Sequence, residues 1–161
     1  FVAAPLTHPG RAGVLWYFIP ELDLYILGRY ATACGGCDGI KTQDEIRARL
    51  EYIHKFDPTA NILLEGILVA HTFSTWNEYA TGKNWNFLFL DTPLQVCIDR
   101  VNGRRAVAGK GELADPKNII RDWGRIRSLH PKFKAAGHSV SWIDHTNPMC
   151  KVMEVLNASI S

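Results

Sequence analysis

Arg29, Glu65, Asp91 and Asp144 each close a short apolar run, and residues 100–134 carry ten Lys or Arg against three acids. Carboxylates can hold a cation or accept a proton, and guanidinium groups can neutralise an oxyanion. A local balance of +7 inside a chain of net charge +2 suggests an anionic ligand, phosphate being the commonest kind. Each charge alone has a plainer reading as a turn former, a helix cap or part of a solvated helix face. Glu65 is the most telling of them. It interrupts residues 62–70 (ILLEGILVA), which are otherwise apolar apart from Gly66. Burying a lone carboxylate costs several kcal/mol unless a cation, metal or proton compensates it. Glu65 is therefore expected where the strand opens onto a crevice, the usual ligand position in an open α/β sheet.

With 161 residues the chain is expected to form one domain over 1–161, large enough for a core. Hydrophobic content of 47% and charged content of 21% are those of an ordinary soluble globular protein. No apolar run approaches the roughly 20 residues that span a bilayer, which argues against a membrane role. Residues 1–9 lack the regions of a signal peptide, although a chain that starts at Phe1 is open to having been processed or truncated. Four cysteines at uneven spacing do not read as a disulfide framework, and a reducing, cytoplasmic setting is expected.

The elements that must position the charged residues follow from periodicity. Residues 12–20 (AGVLWYFIP) and 22–30 (LDLYILGRY) read as two strands parted at Pro20-Glu21. A loop over 31–40 (ATACGGCDGI) leads to a helix opened by Thr42 and Glu45 as a capping box. Ile46, Leu50 and Ile53 give that helix its apolar face, and it stops before Asp57-Pro58. The run 62–70 reads as a single strand covered on both faces. A second capping box, Thr75 with Glu78, opens a short helix that Thr81-Gly82 closes. Residues 85–91 (WNFLFLD) form the next strand. Thr92 then caps a helix with Pro93 in its first turn and Leu94, Cys97, Ile98 and Val101 toward the core.

Residues 103–116 have no apolar period and read as a mobile loop. Residues 117–135 read as a helix with Ile119, Trp123 and Ile126 on one side, closed by Gly137. Residues 138–144 (HSVSWID) form the last strand, and Asn147-Pro148 starts a helix with Met149, Val152, Met153 and Leu156 as its buried stripe. This alternation predicts a three-layer α/β/α domain with a mostly parallel sheet, the charged strand ends gathered at one edge.

The segments LDLYILGRY, CGGCDGIKTQDEI, ILLEGILVAHTF, NWNFLFLDTPLQVCIDRVNGRR and AGHSVSWIDHTNP resemble the P-loop kinase family over nearly the whole chain. More narrowly they look like the small phage-encoded kinases described as AAA-type ATPases. Those include kinases that phosphorylate 5-hydroxymethyluracil in DNA during base hypermodification. The family opens with a strand, a G-x-x-x-x-G-K-[ST] phosphate loop and a helix, and nothing here matches that loop. His8-Pro9-Gly10-Arg11-Ala12-Gly13 has two glycines but no Lys-Ser/Thr. About thirty upstream residues, the size of a strand–loop–helix unit, are therefore expected to be missing. The chain as given is expected to bind ATP poorly.

The resemblance implies a kinase that uses ATP and magnesium, with a lid at about residues 100–117. Glu65 would position magnesium through a water, or else polarise the acceptor hydroxyl; capping the next helix is the competing account. Asp38 would be the general base, and Arg29 and Lys41 would line the acceptor pocket. Arg100, Arg104, Arg105 and Lys110 would belong to the lid that closes over the phosphoryl group, Arg100 and Arg104 sharing a helix face. Asp144, His145, Thr146 and Asn147 would contact the adenine, with a helix cap by Asn147 as the alternative. Trp76 is the tryptophan expected to meet a ligand; Trp16, Trp85, Trp123 and Trp142 are expected in the core.

Cys34-Gly35-Gly36-Cys37 invites a zinc reading, but a closed zinc site needs four ligands and only Cys97 and Cys150 remain. A tight glycine loop lining the substrate pocket is the default there. The leading reading is transfer of phosphate to a hydroxymethylated pyrimidine in DNA. A soluble nucleoside or nucleotide kinase is its closest rival, and a non-catalytic P-loop-like binding or scaffold protein represents a different class. A sulfotransferase of related fold suits the arginine-rich lid less well.

Overall fold

The computed structural model describes residues 4–6, 16–30, 35–113 and 115–160. The chain is mixed α/β and divides into two compact units, Phe1–Ala70 and His71–Ser161. The motif region at residues 8–13 and Cys34 lie outside the described residues.

The first unit holds a four-stranded sheet in the order β1 (Ala4–Leu6), β2 (Trp16–Ile19), β3 (Leu24–Leu27) and β4 (Asn61–Leu64). β1, β2 and β3 pair antiparallel, and β3 and β4 pair parallel with Leu27 opposite Leu64. The sheet is therefore antiparallel over most of its width, unlike the mostly parallel one expected. A tight turn explains this: Pro20–Leu22 form a single 3-10 turn and Asp23 takes a left-handed φ of 43°, returning the chain at once. A parallel return would need a crossover of a dozen residues or more. α1 (Gln43–Phe56) supplies that crossover between β3 and β4. Its start is as expected, the Thr42 side chain accepting from the Glu45 N–H at 3.1 Å. Ile46, Leu50 and Ile53 are buried with Leu24 and Leu27.

The run 62–70 is not one strand. β4 ends at Leu64, Gly66 takes φ +151°, and Ile67–Ala70 form a helical turn, α2. An apolar run of this length fits strand or helix equally, and the glycine decides the break.

The second unit is built on β5 (Asn86–Leu90) and β6 (Ser139–Ile143), parallel from Asn86–Ser139 to Leu90–Ile143. Its helices are α3 (Phe73–Ala80), α4 (Leu94–Val107), α5 (Lys117–Ala135) and α6 (Pro148–Ile160). α5 packs against β5, β6, α3 and α4. Phe133 stacks on Phe87 with ring centres 4.0 Å apart, and Leu129 is buried on the same side of the helix. Val152 and Leu156 bury the stripe of α6, whereas Met149 is exposed.

Four expectations here need correction. α3 starts at Phe73 behind Thr72, so Thr75 and Glu78 fall inside the helix rather than at its cap. Pro93, not Thr92, occupies the cap position of α4; Thr92 is buried and its carbonyl accepts from Trp123 Nε1 at 2.9 Å. α4 runs on to Val107, absorbing the first part of the expected loop, because Arg104, Arg105 and Ala106 are strong helix formers that outweigh Gly103. Leu94, Cys97, Ile98 and Val101 are half-buried, not core.

Candidate functional site

In the first unit three glycines bring the ends of β3 and β4 against the loop before α1. Gly28, with φ +111°, lies so close to Gly36 that a Cβ would sit 2.3 Å from its carbonyl carbon. A Cβ on Gly36 would meet the Glu65 carbonyl at 2.8 Å and Glu65 Oε1 at 3.0 Å. A Cβ on Gly66 would meet Asp38 Oδ1 at 2.8 Å. Backbone bonds fix the same approach: Arg29 and Gly36 exchange N–H···O bonds of 3.3 and 2.8 Å, and the Cys37 N–H donates to the Glu65 carbonyl at 2.7 Å. Arg29, Asp38 and Glu65 are thus brought close together at the carboxyl ends of β3 and β4, and all three residues are exposed. Lys41 is exposed three residues beyond Asp38.

Two further groups belong to this cluster. The Tyr30 hydroxyl is held protonated well above the ordinary tyrosine range, first by burial and then by the Glu65 carboxylate. Burial pushes the Cys37 thiol up to about 12, so Cys37 is a neutral core group and a poor nucleophile. Among the described residues no three His, Cys, Asp or Glu gather as a metal cage, and Cys37, Cys97 and Cys150 are free. Magnesium shared with nucleotide phosphates needs only one or two protein carboxylates. Exposed Glu65 and Asp38 fit that lighter demand.

In the second unit the carboxyl ends of β5 and β6 carry Asp91 and Asp144. Arg127 of α5 pairs with Asp91 at 2.6 Å, and its guanidinium lies 4.9 Å from the ring centre of Trp123 and 4.5 Å from that of Trp142. His145 Nδ1 is 3.1 Å from the Asp91 carbonyl oxygen. Asp144 accepts from the Thr146 N–H and hydroxyl at 2.8 Å each, and these bonds hold its carboxyl below the usual range. Asp144 is therefore engaged in its own turn, the plainer of its two readings. Asn147 is exposed at the start of α6.

Arg100 and Arg104 are exposed one turn apart on α4, as the spacing requires. Arg105 donates from Nε to the Gly111 carbonyl at 2.8 Å and the Lys110 N–H donates to the Arg105 carbonyl, so this pair shapes the turn after α4. Trp76 is corrected: it is fully buried among Tyr79 and Trp85, a core ring with no face for a ligand. Trp142, expected in the core, is partly exposed instead. Sequence reasoning also missed Tyr30, Arg127 and the contact roles of Gly28 and Gly66. The phrase Gly28-Arg29-Tyr30 at a strand end and the expected tight glycine loop containing Gly36 were the signals that pointed toward this cluster.

His130 gives this unit a pH dependence. Its ring stacks on Trp142 with centres 4.6 Å apart, and burial, then Lys134 and Arg127, holds its pKa below the ordinary 6.5. The unfolded chain then binds the proton more readily, so stability is fully present above 6.5 and is lost as pH falls from there through the lower folded value. His130→Phe keeps the stacking and removes the titration. Its melting temperature should fall less between pH 7.5 and 5.5 than that of the wild type.

Comparison with known proteins adds a family. The profile of a family described as 5-hmdU DNA kinase matches residues 6–143. A protein named 5-hmdU DNA kinase from Pseudomonas phage PaMx11 is 30% identical over 159 residues, covering 96% of this chain and 83% of its own length. Another from Pseudomonas phage M6 is 34% identical over 124 residues, covering 65% of each chain. The 5-hmdU DNA kinase 1 of Salmonella phage ViI is 27% identical over 138 residues, covering 80% of this chain and 58% of its own. This chain thus spans less than two thirds of the last two relatives. No solved structure matches it.

Proposed function

The chain belongs to the 5-hmdU DNA kinase family, and on that premise we propose that it transfers the γ-phosphoryl group of ATP to the hydroxymethyl oxygen of 5-hydroxymethyluracil in phage DNA, in the host cytoplasm. The observation that carries the reading is the close approach of the Arg29, Asp38 and Glu65 positions at the ends of β3 and β4, brought about by tightly packed glycines. Phosphoryl transfer asks for positioned carboxylates and cations rather than covalent chemistry from the protein. Asp38 takes the hydroxyl proton as phosphorus bonds to oxygen, and Arg29 and Lys41 hold the acceptor strand. Glu65 would hold magnesium through a water, and the ion would supply charge neutralisation on the phosphate oxygens. Arg100, Arg104 and Arg105 serve as the lid over the phosphoryl group. Lys110, Asp144, His145 and Asn147 serve the nucleotide.

The same proposal keeps a single kinase-like domain with a lid at about residues 100–117 and a three-layer P-loop arrangement. The parallel pairs β3–β4 and β5–β6, whose strands run out into Arg29, Glu65, Asp91 and Asp144, suit that arrangement.

The test incubates the protein, with any upstream coding sequence restored, with γ-labelled ATP and magnesium. Duplex DNA containing 5-hydroxymethyluracil and free hydroxymethylated nucleotides are offered separately. Label in the DNA alone is the expected result. Label only in the free nucleotides replaces the proposal with a nucleotide kinase, and label in neither removes it.

A further inference from the structure

We propose that the solvent face of α5 is a docking rail for the sugar-phosphate backbone of duplex DNA, an inference that rests on the DNA-kinase reading above. Lys117, Arg121, Arg125 and Lys132 are all exposed. At 3.6 residues per turn they fall within about 80° of one face of the helix. Leu129 and Phe133 bury the other side. The stripe is about 22 Å long at 1.5 Å per residue. A stripe of that length is long enough to lie along several successive phosphates of one DNA strand.

The charge on this face is one-sided. α5 carries six Lys or Arg and a single acid, Asp122. α1, also surface-lying, balances Asp44, Glu45 and Glu51 against Arg47, Arg49 and Lys55, as a merely solvated helix does. Asp122 sits at the flank of the stripe, 2.8 Å from Arg121 and 3.9 Å from His71, with its side chain mostly covered. Asp115 pairs with Lys117 at 3.2 Å. Arg125 and Lys132 form no salt bridge among the described residues; Asp122 is near enough to feel the charge of Arg125, but a single carboxylate leaves the face strongly positive.

Between the cations stand small residues. Gly124 and Ser128 are exposed at the centre of the stripe, and a Cβ on Gly124 would touch nothing within 4 Å. Glycine in mid-helix is unfavourable against alanine. The pair leaves a shallow track in which a phosphate chain can approach the helix.

The experiment measures binding to a duplex without 5-hydroxymethyluracil, by fluorescence anisotropy, from 50 to 200 mM salt. The double variant Arg125→Gln, Lys132→Gln should bind about tenfold or more weakly, and its log K against log salt should be shallower by about 2. Glutamine is a good helix former, and unchanged far-ultraviolet circular dichroism and melting check that α5 persists. On DNA substrate the variant should raise KM and leave kcat as it was. Unchanged affinity and slope in a protein that transfers phosphate sink the rail and spare the kinase. A shallower slope in a protein that never transfers phosphate supports the rail and sinks the kinase. Wild-type binding to anionic vesicles with none to duplex DNA overturns the rail in favour of a membrane surface.

Discussion

Glu65→Gln should lower phosphoryl transfer by about 100-fold or more, the scale on which losing a metal-orienting or proton-handling carboxylate acts. The change keeps the shape of the side chain and removes its charge. Stability should move little, within about 0.5 kcal/mol for an exposed position, because residue 65 holds the loop through its carbonyl, which accepts from the Cys37 N–H. A second readout separates placement from catalysis. The Glu65 carboxylate is one of the groups holding the Tyr30 hydroxyl protonated. Removing that negative charge should lower the tyrosine pKa toward 10, visible in an ultraviolet titration. A variant that keeps half its activity while Tyr30 shifts would show that Glu65 lies where described yet serves only the fold.

Gly28→Ala is the second large effect, and it acts on stability first. Two costs coincide there. A φ of +111° is a conformation that side-chain-bearing residues rarely adopt, worth about 1–3 kcal/mol of strain. The new Cβ would also lie 2.3 Å from both the carbonyl carbon and oxygen of Gly36, backbone atoms that cannot swing aside. Together these should exceed about 3 kcal/mol, a large share of the 5–15 that folds a domain. Gly39→Ala is the control, since nothing lies within 4 Å of its Cβ and its φ is ordinary. Urea unfolding of the two should differ by at least about 2 kcal/mol. Equal midpoints would mean the three glycines do not pack as described.

Local signals carried much of this architecture. The Thr42 cap, the apolar face of Ile46, Leu50 and Ile53, and the full span of α5 were legible because each rests on residues within one or two turns. Glu65 and Asp91 were legible at strand ends because charge breaks an apolar run abruptly. What stayed hidden depends on partners distant in the chain. That Trp76 is enclosed by Tyr79 and Trp85, and that Trp142 meets Arg127 from α5, follows from packing that no local period encodes. The break at Gly66 escaped because strand and helix read alike in a short apolar run. The antiparallel start of the sheet escaped because it hangs on one left-handed aspartate, Asp23. Asp38 and Glu65 were each singled out, but their closeness depends on Gly28 packing on Gly36, Gly36 on Glu65 and Gly66 on Asp38, contacts between residues distant in the chain.

The pairing of Asn86 with Ser139 sets a timetable for synthesis. Roughly 50 residues must be made after β5 before its partner strand exists, about 3–10 seconds at 5–20 residues per second. During that interval the nascent segment Asn-Phe-Leu-Phe-Leu is a bare greasy edge, the kind of stretch that sticks to neighbouring chains. Faster synthesis would shorten the interval in which that edge waits for its last strand.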